Sequence, residues 1–242
     1  MATSNPSRAI VVEGKTDLHV VLHLLEKNNP EMSCKRIDNK TFVAQLSEEN
    51  NLQLNICQEG GFDRLCDEIE AWLRLSKLKC VGFVFDANSN PKRNWQRVRS
   101  RILKTYEELK IVSSSNLRRI LRETPVSEGV WIGDCNPKVG MWMMPNNKDT
   151  GAIEEFLTYM IHLKDHYWKH AQDYVETILQ EGKQFPERKT IKEKNISKAN
   201  IHAWLAVQEE PGNPPGTAIE AGYFDAESVK VQPFRQWLRN LS

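Results

Sequence analysis

The stretch Ile10-Val11-Val12-Glu13-Gly14-Lys15-Thr16-Asp17 decides the predicted fold of this chain. Its three β-branched residues are typical of a short buried strand, which ends at Glu13 and Gly14. The next residues are apolar at the spacing of one buried helix face, namely Leu18, Val21, Leu22 and Leu25. In an open α/β sheet, ligands bind beyond the carboxyl ends of the strands. We therefore expect the Glu13 carboxylate to point into such a crevice from the first turn of the fold.

Length and composition are those of a globular protein. A chain of 242 residues can bury one sizeable core, or a core with a smaller appendage. Charged residues make up 27% and the formal net charge is +1, so no overall preference for acidic partners is expected. No apolar run approaches the ~20 residues of a membrane span, and residues 1–7 do not resemble a signal peptide. The five cysteines lack C-x-x-C spacing, so we expect a cytoplasmic protein without a disulfide framework, zinc site or membrane partner.

Strand and helix signals alternate up to about residue 160. The run at 80–85 is nearly continuously apolar, as is typical of a strand buried in a parallel sheet. Amphipathic helices are predicted between the strands, for example where Trp95, Val98 and Ile102 share one face. Further strands are predicted at 52–57, 129–132 and 139–144. The alternation predicts an α/β fold with a mostly parallel sheet flanked by helices.

The chain beyond residue 160 is predicted to be helical. Helices are expected over 166–180 and 196–207, with a last short one around Trp237. Prolines and glycines over 209–216 predict a loop, because they cannot continue either regular element. We therefore expect an α/β domain and a helical C-terminal extension packed on it, at 1–160 and 161–242.

Two carboxylates follow apolar strands. Glu13 ends the first strand and Asp86 ends the run at 80–85, and each precedes a predicted helix. If the two strands are neighbours in a parallel sheet, both carboxylates emerge at the same edge. Oxygen ligands suit Mg²⁺, and a metal held there can clamp a phosphate and activate the attacking group. Either residue alone is explained as a polar strand cap, whereas the two together favour a metal site.

Three motifs, in order along the chain, resemble those of Toprim domains, the catalytic fold shared by topoisomerases and primases. Val12-Glu13-Gly14-Lys15-Thr16-Asp17 is similar to the first motif, and Asp86-Ala87-Asn88 is similar to the Asp-x-Asp motif. Gly151-Ala152-Ile153-Glu154-Glu155-Phe156-Leu157 is similar to a Gly-x-Leu-Glu element of small, stand-alone Toprim-like proteins of bacteria. That group is related to the overcoming-lysogenization-defect nucleases. The resemblance covers residues 8–160 and implies a Toprim-like (Rossmann-like) sheet.

The resemblance also implies an activity, that of a Mg²⁺- or Mn²⁺-dependent nuclease or related phosphoryl-transfer enzyme. Glu13 would be a metal ligand or the general acid/base, and Asp86 would be a metal ligand. Asp17 and Glu154 would supply further ligands. Asn88 stands where the motif has aspartate; its amide oxygen can coordinate Mg²⁺ but brings no charge. The alternative is a catalytically weak or inactive nucleic-acid-binding or regulatory module with the same fold.

The partners expected from the resemblance are nucleic acid, with DNA favoured over RNA, and an ATPase. Related nucleases are fused to an ATPase or encoded beside one. A role in phage defence is an expectation at the level of the family. Whether the protein forms a homo-oligomer is not decided by the sequence.

Basic residues cluster after the Asp86 motif. Six lysines and arginines and no acidic residue lie within 92–104. Arg93, Arg97 and Arg101 are four residues apart, so they form a stripe beside the buried face of the predicted helix. The stripe is either a surface that neutralises nucleic-acid phosphates or a solvated helix face, and the sequence does not decide between them.

Two lysines are further candidates for contact with a phosphate, namely Lys15 and Lys198. For each, a surface lysine without a function is the alternative. Gly14-Lys15-Thr16 also resembles the end of a nucleotide-binding P-loop. That loop needs glycine where this chain has Ala9, and a curled backbone where the β-branched residues predict a strand. We therefore expect no P-loop.

Overall fold

A seven-stranded sheet lies at the centre of the protein. The computed structural model describes residues 7–47, 52–110, 121–133, 135–184 and 189–241. In chain order the strands are β1 (Arg8–Val12), β2 (Ser33–Arg36), β3 (Thr41–Ser47), β4 (Leu52–Gln58), β5 (Cys80–Asp86), β6 (Val130–Ile132) and β7 (Lys138–Met144). Their order across the sheet is β2-β3-β4-β1-β5-β7-β6.

The four central strands, β4, β1, β5 and β7, are parallel. β3 and β6 run antiparallel to their neighbours, and β2 runs antiparallel to β3, so five of the seven strands point in one direction. The predicted α/β architecture with a mostly parallel sheet is confirmed. The β2–β3 hairpin was not predicted, because the exposed edge residues of β2 (Ser33–Arg36) carry no apolar alternation.

Helices cover both faces of the sheet. They are α1 (Lys15–Asn28), α2 (Phe62–Leu73), α3 (Pro91–Leu109), α4 (Ile153–Thr158), α5 (His166–Gln184), α6 (Ile196–Leu205), α7 (Pro215–Glu220) and α8 (Gln232–Arg239). The loop predicted over 209–216 was wrong at its end, because Pro215 begins α7. Proline fits the first turn of a helix, where its missing N–H has no partner to lose.

The sheet separates two apolar cores because successive side chains of a strand point to opposite faces. In β1, Ala9 and Val11 join the core under α2 and α3, and Ile10 and Val12 join the other core. The second core also contains buried residues of α1, α4 and each helix from α5 to α8. The C-terminal helices therefore complete one of the two cores.

The aromatic residues of the second core lie directly on glycines of the sheet. A Cβ atom at Gly82 of β5 would lie 2.8 Å from the ring of Trp237 in α8. A Cβ atom at Gly140 of β7 would lie 2.6 Å from the ring of Trp131. The centroids of the Trp131 and Trp237 rings are 5.0 Å apart. The glycines thus leave the space in which α8 packs against the sheet.

In the described part of the chain, no helix combines the length and the apolar character needed to cross a bilayer.

Candidate functional site

The ends of β1 and β5 bring two predicted site residues together. β1 and β5 are parallel neighbours with Val12 opposite Val84, so Glu13 and Asp86 emerge at the same edge of the sheet. The Glu13 Oε2 atom accepts a hydrogen bond of 3.1 Å from the backbone N–H of Asp86. The two motifs are therefore in direct contact.

Glu13 is fixed on its other side by the loop that leads into α2. Its backbone carbonyl accepts hydrogen bonds from the N–H groups of Gly60 and Gly61, at 3.0 and 2.8 Å. Its carboxylate is also hydrogen-bonded to the backbone of Phe62. Burial raises the pKa of Glu13, although the two backbone hydrogen bonds act in the opposite direction.

Asp17 lies in the first turn of α1 and is almost fully buried, with 4% of its surface exposed. Its Oδ2 atom accepts a hydrogen bond of 3.1 Å from the N–H of Gly14. Its Oδ1 atom is buried and has no hydrogen-bond partner among the described residues. Burial, with the negative charges of Glu13 and Glu154, raises the pKa of Asp17 to about 7.

Asp86 is in the same electrostatic situation. Burial raises its pKa well above the ordinary value, and the charges of Asp17, Glu13 and Glu154 act in the same direction. Its Oδ1 atom is buried and accepts no hydrogen bond from the part of the chain that the structure describes. Its backbone carbonyl accepts a 3.1 Å hydrogen bond from the side-chain amide of Asn94 in α3. Within the described ranges, the site therefore holds two buried carboxylate oxygens without hydrogen-bond partners, on Asp17 and Asp86.

A backbone bridge joins the second motif to the third. The N–H of Asn88 donates to the carbonyl of Gly151 at 2.6 Å, and the N–H of Gly151 donates back to Asn88 at 2.9 Å. Asn88 has φ 51°, in the left-handed region that asparagine tolerates better than most residues. Gly151 has φ 129°, and a Cβ atom there would lie 2.8 Å from Glu155 Cγ. The bridge brings Glu154, in the first turn of α4, to the acidic edge.

Lys198 reaches this edge from the C-terminal half of the chain. Its Nζ atom lies 3.3 Å from Glu154 Oε1. The Glu154 side chain is 17% exposed and the Lys198 side chain is 54% exposed, so the pair lies at the solvent boundary of the site. Lys198 therefore contacts the acidic edge through Glu154.

The predicted basic stripe lies on α3 but is partly paired. Arg97 forms an ion pair of 2.7 Å with Asp63, and Arg101 forms one of 3.1 Å with Asp67. Both carboxylates belong to α2 and are 34 residues earlier in the chain. By contrast, the exposed side chains of Arg93 and Lys15 form no ion pair with the described residues.

The chemistry of the donors fits a hard divalent cation. All candidate ligands are oxygen atoms, and Mg²⁺ is commonly bound through one or two carboxylates together with water and phosphate oxygens. The unpartnered oxygens of Asp17 and Asp86 are available for that role. Among the residues that the structure describes, however, no group of three or more His, Cys, Asp or Glu side chains is arranged to hold a metal ion.

Sequence reasoning missed residues that position the acidic ones. Phe62 and Asn94 act through a backbone N–H and a side-chain amide, respectively, neither of which has a sequence pattern of its own. The Gly60-Gly61 pair at the end of β4 was the available signal for a loop that contacts the neighbouring strand end. Asp63 was not linked to Arg97 because the pairing depends on how α2 and α3 pack.

We expect Asp17→Asn to stabilise the metal-free protein above about pH 7. An acid with a raised pKa contributes stability below its ordinary pKa, near 3.8, and that contribution is lost as the pH rises through about 7. Asparagine keeps an oxygen for the Gly14 N–H but cannot ionise. In EDTA, the melting temperature of the variant relative to wild type should rise by a few degrees between pH 5 and pH 8.

The exposed substitution Glu31→Gln is the control and should show no such trend. A fall in the melting temperature of Asp17→Asn relative to wild type between pH 5 and pH 8 would contradict the assignment of Asp17 as a buried acid with a raised pKa.

Comparison with known proteins gave one match. The family model described as "Protein of unknown function (DUF3226)" matches residues 7–242. The comparisons with curated proteins and with solved structures found no match.

Proposed function

The chain belongs to the DUF3226 family, and we propose that its acidic edge is a Toprim-type centre that hydrolyses phosphodiester bonds of nucleic acid with Mg²⁺ or Mn²⁺. The observation that carries the proposal is the pair of buried carboxylate oxygens on Asp17 and Asp86, neither of which has a hydrogen-bond partner in the described residues. Burying such groups without a partner is costly, and a cation would remove that cost. Strongly perturbed carboxylates gathered at one edge are typical of functional sites.

The Toprim-like fold is part of this proposal. It is supported by the order of the three motifs and by their contacts: Glu13 with Asp86, and Asn88 with Gly151. These contacts are what a shared site requires, since each motif lies far from the next in sequence.

The acidic residues have separate roles in the proposed reaction. Asp17 and Asp86 would hold the cation together with water and phosphate oxygens. The resemblance implies Glu154 and the Asn88 amide as further oxygen donors. When bound, such a cation supplies positive charge to the phosphate and activates an attacking water. Glu13, whose raised pKa favours proton uptake, accepts the proton of that water.

Two lysines would act on the substrate phosphate. Lys198, now paired with Glu154, can exchange that carboxylate for a phosphate oxygen. Lys15 is exposed at the first position of α1. As water adds to phosphorus, the bond to the leaving sugar oxygen breaks. That oxygen takes up a proton from solvent water, and Glu13 afterwards returns to solvent the proton that it accepted. The resemblance alone leads us to expect an ATPase partner, a preference for DNA over RNA as the substrate, and a role in phage defence.

A second candidate is a binding or regulatory module without turnover. Asn88 favours it, because the uncharged amide weakens the attraction for a cation where the motif has aspartate. The backbone conformation of Asn88 gives this residue a structural reason to be present, independent of metal binding.

Cleavage assays separate the two candidates. The purified chain is incubated with supercoiled plasmid DNA and with labelled DNA and RNA oligonucleotides, in Mg²⁺, in Mn²⁺ and in EDTA. We expect cleavage with a divalent cation, none in EDTA, and none with Asp86→Asn. Absence of cleavage with either cation, or cleavage that Asp86→Asn leaves intact, would overturn the enzyme proposal.

A further inference from the structure

A shallow concavity of about 500 Å³ lies on the exposed face of α3. Four cationic side chains and two uncharged polar ones line it: Arg93, Gln96, Arg97, Ser100, Arg101 and Lys104. None of the lining residues is acidic. A surface of this kind attracts an anion that extends along the helix, because its charges repeat every three or four residues.

Phe62 connects this surface directly to the acidic edge. The guanidinium group of Arg97 lies over the ring of Phe62, 4.9 Å from its centroid. The backbone of Phe62 is hydrogen-bonded to the Glu13 carboxylate. At the start of α3, the Asn94 amide binds the carbonyls of Asp86 and Ala87. One end of the α3 surface therefore adjoins the site.

The arginines on this surface keep capacity for a phosphate. Arg97 and Arg101 each use one guanidinium nitrogen for an aspartate of α2, and those aspartates are mostly exposed, at 85% and 65%. Exposed ion pairs contribute little to stability, so a phosphate can replace the carboxylate at small cost. Lys104 is only loosely paired, at 3.8 Å from Glu108.

We propose that the exposed face of α3 binds the sugar–phosphate backbone of a polynucleotide whose scissile bond lies at the acidic edge. This inference rests on the proposed function and narrows its substrate class, because it requires a polynucleotide that extends beyond the scissile phosphodiester bond. From Arg93 to Lys104 the helix spans about 16 Å, the length of roughly five nucleotides of one strand. A mononucleotide or dinucleotide would not reach along this surface.

The test measures binding in EDTA, by fluorescence anisotropy with a labelled 20-nucleotide DNA strand and the corresponding duplex. We expect the double variant Arg93→Glu/Lys104→Glu to bind at least about tenfold more weakly. The slope of log K against log salt should fall by about 2, since each lost phosphate contact removes roughly one. The matched control, Lys169→Glu/Lys183→Glu on α5, changes the same number of charges and should bind like wild type.

A second variant is expected to change the affinity for DNA in the opposite direction. Asp67→Asn releases Arg101 from its ion pair and should tighten binding, severalfold at low salt. Circular dichroism checks that each variant is folded. Wild-type affinity in Arg93→Glu/Lys104→Glu, or unchanged or weaker binding in Asp67→Asn, would overturn the inference, as would a wild-type protein that binds neither DNA form.

Failure of this inference is separable from failure of the proposed function. Hydrolysis of bis(p-nitrophenyl) phosphate by the wild-type chain with Mn²⁺ reports on the acidic edge without a polynucleotide. If the chain hydrolyses that small diester but the α3 substitutions do not change its affinity for DNA, the proposed function is supported. The α3 surface would then not be the binding site for the polynucleotide.

Discussion

Glu13→Gln should lower the rate of metal-dependent cleavage of nucleic acid by about 10²–10⁴-fold, which is the usual contribution of a positioned acid–base group. The amide oxygen can still accept the hydrogen bond from the Asp86 backbone, but the side chain cannot take a proton. Because burial raises the pKa of Glu13, the neutral side chain suits its surroundings at least as well. The melting temperature at pH 8 in EDTA should therefore stay the same or rise.

Glu31→Gln, an exposed change of the same chemistry beyond the end of α1, is the control and should cleave like wild type. The informative result is the combination of lost cleavage and retained stability in Glu13→Gln. If cleavage persists in that variant, the proton acceptor lies elsewhere. If the variant unfolds, the Asp86 and Phe62 hydrogen bonds, and not proton transfer, explain why the residue matters.

Trp237→Ala should lower the free energy of unfolding by about 3–5 kcal/mol, as expected for removing a large buried aromatic side chain. Trp237 is 1% exposed, lies on Gly82 of β5, and contacts the rings of Trp131, Trp142 and Phe234. Its loss leaves a cavity between α8 and the sheet. A melting temperature lower by about 10 °C is expected for a chain of this length.

Tyr174→Ala removes an aromatic ring that is 62% exposed, and its effect should stay within about 0.5 kcal/mol. Chemical denaturation with a far-ultraviolet and a tryptophan-fluorescence probe measures both variants. A loss below 1 kcal/mol in Trp237→Ala would mean that α8 contributes little to the core that it completes.

The central sheet could be predicted because its residues are locally apolar. Each of β1, β5 and β7 is a run of mostly buried side chains, and such runs are visible without knowledge of their neighbours. β2 escaped prediction because an edge strand needs no apolar face. α7 escaped because Pro215 and Gly216 are typical of loops as well as of helix starts.

Local sequence patterns predict the acidic site only as far as the strand ends, whereas Asp17, Asn88 and Glu154 were expected from the resemblance of the motifs. The rule that parallel strands present their carboxyl ends at one edge was sufficient to place Glu13 with Asp86. The contact between Asn88 and Gly151, and the pairing of Lys198 with Glu154, depend on where separate elements pack. Nothing local in either segment encodes these distances.

The packing of Gly216 against His19 determines how the chain can be cut for experiments. α7 lies on α1 so closely that a methyl group at Gly216 would meet the backbone and Cβ of His19, one residue beyond Leu18 and two beyond Asp17. A fragment that stops near residue 160 would keep the four acidic residues of the site but lose α7, which packs against α1. Truncated versions would therefore be unsuitable for testing the site, and fusions or tags belong at positions remote from this contact.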